Sequence, residues 1–154
     1  MALFLLVVGG GGAFALVQGS MALSQISGDQ LEATYIAQEG IEIIRNIRDT
    51  NWLLQRTDSG ILWDEGILID EDYRLDYLSD NFPDIRCPFL NDGDYLKYDG
   101  NFYNCSEGID SKFKRKITVE KPESGVMDVS VEVSWVERGR SHKVTAQTRL
   151  YNWK

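Results

Sequence analysis

Cys87 and Cys105 are the residues of this chain best suited to covalent chemistry. With the single histidine, His142, they are too few for a structural zinc site, which takes four ligands. Two readings remain: a disulfide or a pair of free thiols. A disulfide would close a loop of about 18 residues and contribute about 3 kcal/mol in the chain-entropy account. His142 stands in the charged stretch Gly139-Arg140-Ser141-His142-Lys143 and reads as an exposed turn residue. Asp70-Glu71-Asp72 and the run from Asp92-Gly93-Asp94 to Asp99 could offer oxygens to calcium. Neither has EF-hand spacing, so solvated loops are the expectation. Lys112, Lys114, Arg115 and Lys116, with Arg138, Arg140 and Lys143, could form a basic face, but a solvated strand edge is the simpler reading. Tyr73, Tyr77, Tyr95, Tyr98 and Tyr103 could form an adhesive surface, and hairpin packing is again simpler. No GxSxG, HExxH or P-loop pattern is present. The expectation is therefore no catalytic residue, no metal, no cofactor and no enzyme.

These side chains must be positioned by the rest of the 154 residues, of which 43% are hydrophobic, enough for one core. The net charge of −8 argues against a general nucleic-acid binder, which needs a basic footprint. The charge is uneven. From Met1 to Gly28 there is none, and Asp29 is the first charged residue. Leu3, Phe4, Leu5, Leu6, Val7 and Val8 lead into Gly9, Gly10, Gly11 and Gly12, followed by Phe14, Leu16 and Val17. As a helix, Met1 to Val17 would reach roughly 26 Å, a little short of the ~30 Å hydrocarbon core of a bilayer. A cleaved signal peptide would need a basic start, which is missing, although Ala13-Phe14-Ala15 could serve as its cleavage site. A buried soluble helix would lose about 1 kcal/mol at each of the four glycines. A membrane anchor tolerates glycine better, and residues 1–22 are read as one.

The helical pattern continues beyond the anchor. Leu23, Ile26, Ala33, Ile36, Ala37, Gly40, Ile44 and Ile47 fall on one side of a helix, opposite Gln38, Glu42, Arg45, Asn46 and Asp49. Glu42 with Arg45, and Arg45 with Asp49, have the spacing of helical ion pairs. One helix of roughly 45 residues is expected, with a stop near Asp49-Thr50-Asn51 and weak points at Gly19 and Gly28. Residues 51–111 read as a loop-rich region of short strands or hairpins. Ile61 to Trp63, Tyr73 to Tyr77 and Tyr95 to Tyr98 alternate there with turn sequences at Asp58-Ser59-Gly60, Asn91-Asp92-Gly93 and Asp99-Gly100-Asn101.

Residues 112–154 read as a sheet. Phe113, Ile117 and Val119 alternate with polar residues. Met127, Val129, Val131, Val133 and Trp135 alternate with Asp128, Ser130, Glu132 and Ser134. A turn at Glu137 to Ser141 returns the chain through Val144, Ala146, Thr148 and Leu150. An antiparallel sheet with one wet face needs a cover. The apolar stripe of the helix is the natural one, with Ile26, Ala33, Ile36, Ala37, Gly40, Ile44 and Ile47 packing on it. The fold class is α+β: an anchor at 1–22, then a head at 23–154 holding an amphipathic helix at 23–50.

This order of parts resembles type IV pilins and pseudopilins. Tyr35-Ile36-Ala37-Gln38-Glu39-Gly40-Ile41-Glu42, followed by Arg45-Asn46-Ile47-Arg48-Asp49, is similar to the segment after the anchor in minor pilins of the pilus-modification (V-type) kind. The Val131-Glu132-Val133-Ser134-Trp135 strand and the Leu150-Tyr151-Asn152-Trp153 end are similar as well. The resemblance implies a structural subunit, minor rather than major, with its helix in the cytoplasmic membrane and its head outside. Its implied partners are other pilin subunits, the assembly machinery and membrane lipid, with nucleic acid an unlikely one. It also implies a start upstream of Met1, with a basic leader, a cleavage glycine and an early glutamate that this chain does not show. Cys87 and Cys105 would then face an oxidising compartment, which favours the disulfide. Gly9 to Gly12 would let neighbouring helices approach closely, or let the helix stretch on assembly. The alternative is an anchored or secreted ligand-binding module that never polymerises.

Overall fold

The structure, a computed structural model, describes residues 2–67, 69–76, 87 and 95–153. The chain divides into two compact units, Met1–Glu32 and Ala33–Lys154.

The first element, α1, is a helix over Ala2–Leu54. It runs past the stop expected at Asp49-Thr50-Asn51 because Asn51 is occupied elsewhere. Its buried side-chain amide donates to the carbonyls of Trp63 (3.3 Å) and Glu65 (2.8 Å). The asparagine therefore ties the following loop to the helix instead of capping it. Gln55 makes a similar tie to the Ile61 carbonyl at 2.9 Å. The helix closes when the N–H groups of Thr57 and Asp58 both reach the Leu54 carbonyl at 2.9 Å.

Within the second unit, Ala33, Ile36, Ala37, Ile44 and Ile47 are buried, and Ile41 and Ile43 join them. This 3–4 spacing puts one apolar stripe of α1 into the core. Each buried isoleucine contributes about 1.5–3 kcal/mol relative to an exposed one. Gly40 marks the closest approach: a Cβ there would lie 2.9 Å from Val131 Cγ1 and 3.3 Å from Arg115 Cδ. Ile26, expected on the same stripe, lies half-buried in the first unit and is outside this core, and Leu23 is exposed. The Glu42–Arg45 ion pair is present, whereas Asp49 pairs with Arg48 at 2.8 Å instead of with Arg45.

The main sheet has four antiparallel strands: β1 (Asp72–Tyr73), β5 (Lys114–Glu123), β6 (Val126–Glu137) and β7 (Arg140–Tyr151), in the order β1-β5-β6-β7. The inward positions Ile117, Val119, Met127, Val129, Val131, Val133, Trp135 and Leu150 are all buried. The β6–β7 turn is tighter than Glu137 to Ser141. Glu137 pairs with Arg140, leaving Arg138 (φ 52) and Gly139 (φ 74) as a two-residue turn. Both residues lie in the left-handed region, as a type I′ hairpin requires.

A second, small sheet has the order β3-β2-β4, from β2 (Lys97–Tyr98), β3 (Tyr103–Asn104) and β4 (Ile109–Asp110). Asp99 builds the β2–β3 turn by accepting N–H bonds from Asn101 and Phe102, each at 2.8 Å. Leu96 joins this sheet to the core, donating to the Phe113 carbonyl and accepting from Ser111 N–H. Ile61 to Trp63, a candidate strand by sequence, is a turn in which Trp63 is buried. Tyr77 and the Asn91-Asp92-Gly93 turn lie outside the described residues.

Candidate functional site

Between Gly9 and Glu32, α1 carries its large apolar side chains on the outside. Leu16 is 77% exposed, Leu23 67%, Phe14 66% and Met21 62%, and Val17 is half exposed. A Cβ on Gly9, Gly10, Gly11 or Gly12 would meet nothing within 4 Å. The side chains of Leu3, Phe4, Leu5, Leu6, Val7 and Val8 lie outside the described part of the structure. Scattered apolar side chains are normal on a protein surface, whereas a continuous uncharged run signals a contact surface. Glycines among them keep the helix slim enough for another helix to come close. Among the described residues, no helix is long and apolar enough to cross a membrane.

The head holds a different chemistry. Arg115 of β5 points inward and is wholly buried. Its guanidinium donates to the Ile36 carbonyl on α1 (3.3 Å) and to the Leu75 carbonyl, and lies 3.5 Å from the Glu39 carboxylate. Burial pushes its pKa down, while the nearby Glu39 and Asp76 charges push it up. An arginine keeps its proton in either case, so the group is a fixed cation and no proton carrier. It pins the helix, the sheet and the 72–76 segment to one another. Arg74, also buried, donates to the Tyr95 carbonyl at 3.1 Å.

Cys87 and Cys105 form a disulfide with Cα atoms 5.2 Å apart. Their sulfurs and the buried Asp76 carboxylate lie within 4.8 Å of one another. Sulfurs bonded to each other have no thiolate to offer a metal. The bridge ties Cys87 to Cys105, which directly follows β3 of the small sheet.

The basic residues of the sequence do not form one face. Arg115 is in the core, Lys116 pairs with Asp72 at 3.2 Å, Lys112 with Glu137 at 3.7 Å and Lys143 with Glu132 at 2.9 Å. Arg115 is thus no part of a solvated strand edge. It shares the inward parity of Phe113, Ile117 and Val119, and that alternation was the available signal. His142 is not an exposed turn residue: it sits half-buried in β7, its ring stacked on Trp135 at 5.4 Å. The two-residue turn ends before it, which brings it into the strand.

Of the Asp70-Glu71-Asp72 run, Asp70 and Glu71 are exposed and Asp72 is engaged by protein partners. Asp72 accepts from Thr118 at 2.5 Å and from Lys116, and the Thr118 hydroxyl chiefly holds its carboxyl below the usual range. Asp92 and Asp94 lie outside the described residues. Of the tyrosines, Tyr73 is buried, and that burial pushes its phenol well above the ordinary value. Tyr103 packs on Tyr98 (5.1 Å) and Phe113 (6.0 Å), while Lys114 covers the Tyr95 ring at 4.8 Å.

One contact escaped the sequence entirely. Trp52 and Trp153 meet edge to face at 4.6 Å, Arg48 stacks on Trp52 at 4.4 Å, and the Trp52 indole N–H donates to Asn152. Arg48 and Trp52 are one helical turn apart, but they lie about a hundred residues from Asn152 and Trp153, and no local pattern joins the two pairs. Comparison of the chain with protein-family models, with curated protein sequences and with solved structures returned no match.

Proposed function

We propose that the chain is a structural subunit of a filament of the type IV pilin or pseudopilin kind, a minor one, and not an enzyme. One observation carries the reading. A single helix is apolar, uncharged and outward-facing over its first part, while its later residues form the spine of an α+β head. Such an apolar surface gains by leaving water, in a bilayer or against copies of the same helix. A disulfide in the head fits an extracytoplasmic location. The partners are then other subunits of the filament, the membrane assembly machinery and lipid, and the head lies outside the cytoplasmic membrane.

The test is fractionation of the native cell with an antibody against the head. The expected result is that the chain travels with filaments sheared from the surface. A Leu16→Lys variant should leave that fraction while its purified head keeps the same circular dichroism spectrum. A chain held in the membrane pellet and never found in sheared filaments would replace this reading with an anchored, non-polymerising binding module.

A further inference from the structure

The longest strand edge in the head is unpaired among the described residues. β7 lies at the end of the main sheet, bonded to β6 on one side only. Its pairing with β6 is regular through all twelve residue pairs, from Val126↔Tyr151 to Glu137↔Arg140. In a two-residue hairpin the closing pair exchanges hydrogen bonds, and the pattern then alternates along the ladder. His142, Val144, Ala146, Thr148 and Leu150 therefore bond to β6. Ser141, Lys143, Thr145, Gln147, Arg149 and Tyr151 turn their N–H and C=O groups to the open side. No proline or bulge interrupts the strand, although edges are commonly blunted in those ways.

Two features define what could pair there. Beside the edge runs a groove of about 530 Å³, lined by Tyr35, Gln38, Glu39, Ile41, Glu42 and Arg45 of α1 and by Gln147 and Thr148 of β7. It would take alternate side chains of an added strand, as in other strand-addition sites. The second feature is charge. β7 carries Arg140, Lys143 and Arg149 and no acidic residue, in a chain of net charge −8. Lys143 and Arg149 have their carboxylate partners, Glu132 and Asp128, on the β6 side. Their side chains remain 68% and 52% exposed, whereas the acids of the groove, Glu39 and Glu42, pair with Arg115 and Arg45 of this chain. A second copy of β7 would set cations against cations, which disfavours pairing.

We propose that the open edge of β7 is a strand-addition site for an extended acidic segment of another protein. Main-chain hydrogen bonds would hold the segment, its carboxylates would lie beside Lys143 and Arg149, and its inward side chains would enter the α1–β7 groove. The proposal uses only the second unit and does not rest on the filament reading.

The experiment uses the full chain in mild detergent and three labelled peptides. The first alternates Thr, Glu and Val, the second has Lys for Glu, and the third repeats the first with alternate amides N-methylated. Anisotropy should show saturable binding of the first, and amide exchange should slow at Lys143, Thr145 and Gln147. Loss of main-chain or charge pairing should weaken the other two by about tenfold or more. Thr145→Pro removes an outward N–H and should cause a similar loss with an unchanged circular dichroism spectrum. If that variant fails to fold, the N-methylated peptide decides the point. Lys143→Glu with Arg149→Glu should reverse the preference toward the lysine peptide. The proposal is overturned by no binding, by equal binding of all three peptides, or by slowed exchange confined to residues outside β7. Dimerisation without peptide that slows the β7 amides would also overturn it, giving the edge to a second copy.

Discussion

Between Gly9 and Glu32, α1 exposes most of its side chains, and the first charge comes only at Asp29. Between Ala33 and Leu54, the same helix buries a stripe of alanine and isoleucine and lines its other side with Glu42, Arg45 and Asn46. The backbone conformation is one; the exposure of the apolar side chains is not. The later part satisfies its apolar surface within the chain. The earlier part does not, and so needs something outside it. A glycine means different things in the two parts: Gly40 is a close contact with Val131, whereas Gly10 touches nothing.

Substitutions should separate the two parts. Ile44→Ala removes a fully buried side chain and should destabilise the head by about 3 kcal/mol in urea unfolding. Leu16→Ala, at a 77% exposed position, should leave head stability within about 0.5 kcal/mol. Equal effects would erase the contrast. Replacing both Cys87 and Cys105 by serine should cost about 3 kcal/mol or somewhat less, and thiol titration of the unfolded native chain should find no free thiol before reduction. Gly40→Ala should cost about 1–3 kcal/mol by overpacking against Val131. Gly10→Ala should instead favour its helix by about 1 kcal/mol, read as greater helicity in detergent.

The smallest effect concerns pH. The Asp72 carboxyl is held below its usual range, so the folded state binds that proton less readily than the unfolded state. Its contribution is therefore present above the ordinary aspartate range and is lost as pH falls through the lowered value. Asp72→Asn should flatten the acid limb of the stability profile slightly, without changing stability between neutral and alkaline pH.

The sequence made the long elements legible. Alternation from Met127 to Trp135 located β6, and the 3–4 spacing from Ala33 to Ile47 located the buried stripe of α1. Both patterns are local and repeat many times, so single exceptions do not hide them. The helix end was misread because Asn51, a common stop residue, is held by carbonyls of the following loop. Arg115 was misread because its charge outweighed its inward parity; burial is sustained by carbonyls of Ile36 and Leu75 that no local pattern announces. The strands of the small sheet are two residues long, too short for any periodicity, and are set by pairing and turns. Two cysteines 18 residues apart are compatible with a disulfide or with free thiols, and only their spatial approach decides for the disulfide.

The claim that the early part of α1 packs against the helices of other filament subunits is tested most directly by cross-linking in the native cell. A chain carrying a photo-cross-linking residue in place of Leu16 should give covalent adducts with other filament subunits on irradiation, while a control with the same residue in place of Ile44 should not. Leu16-substituted chains that form adducts with lipid alone, or none with any filament subunit, would contradict it.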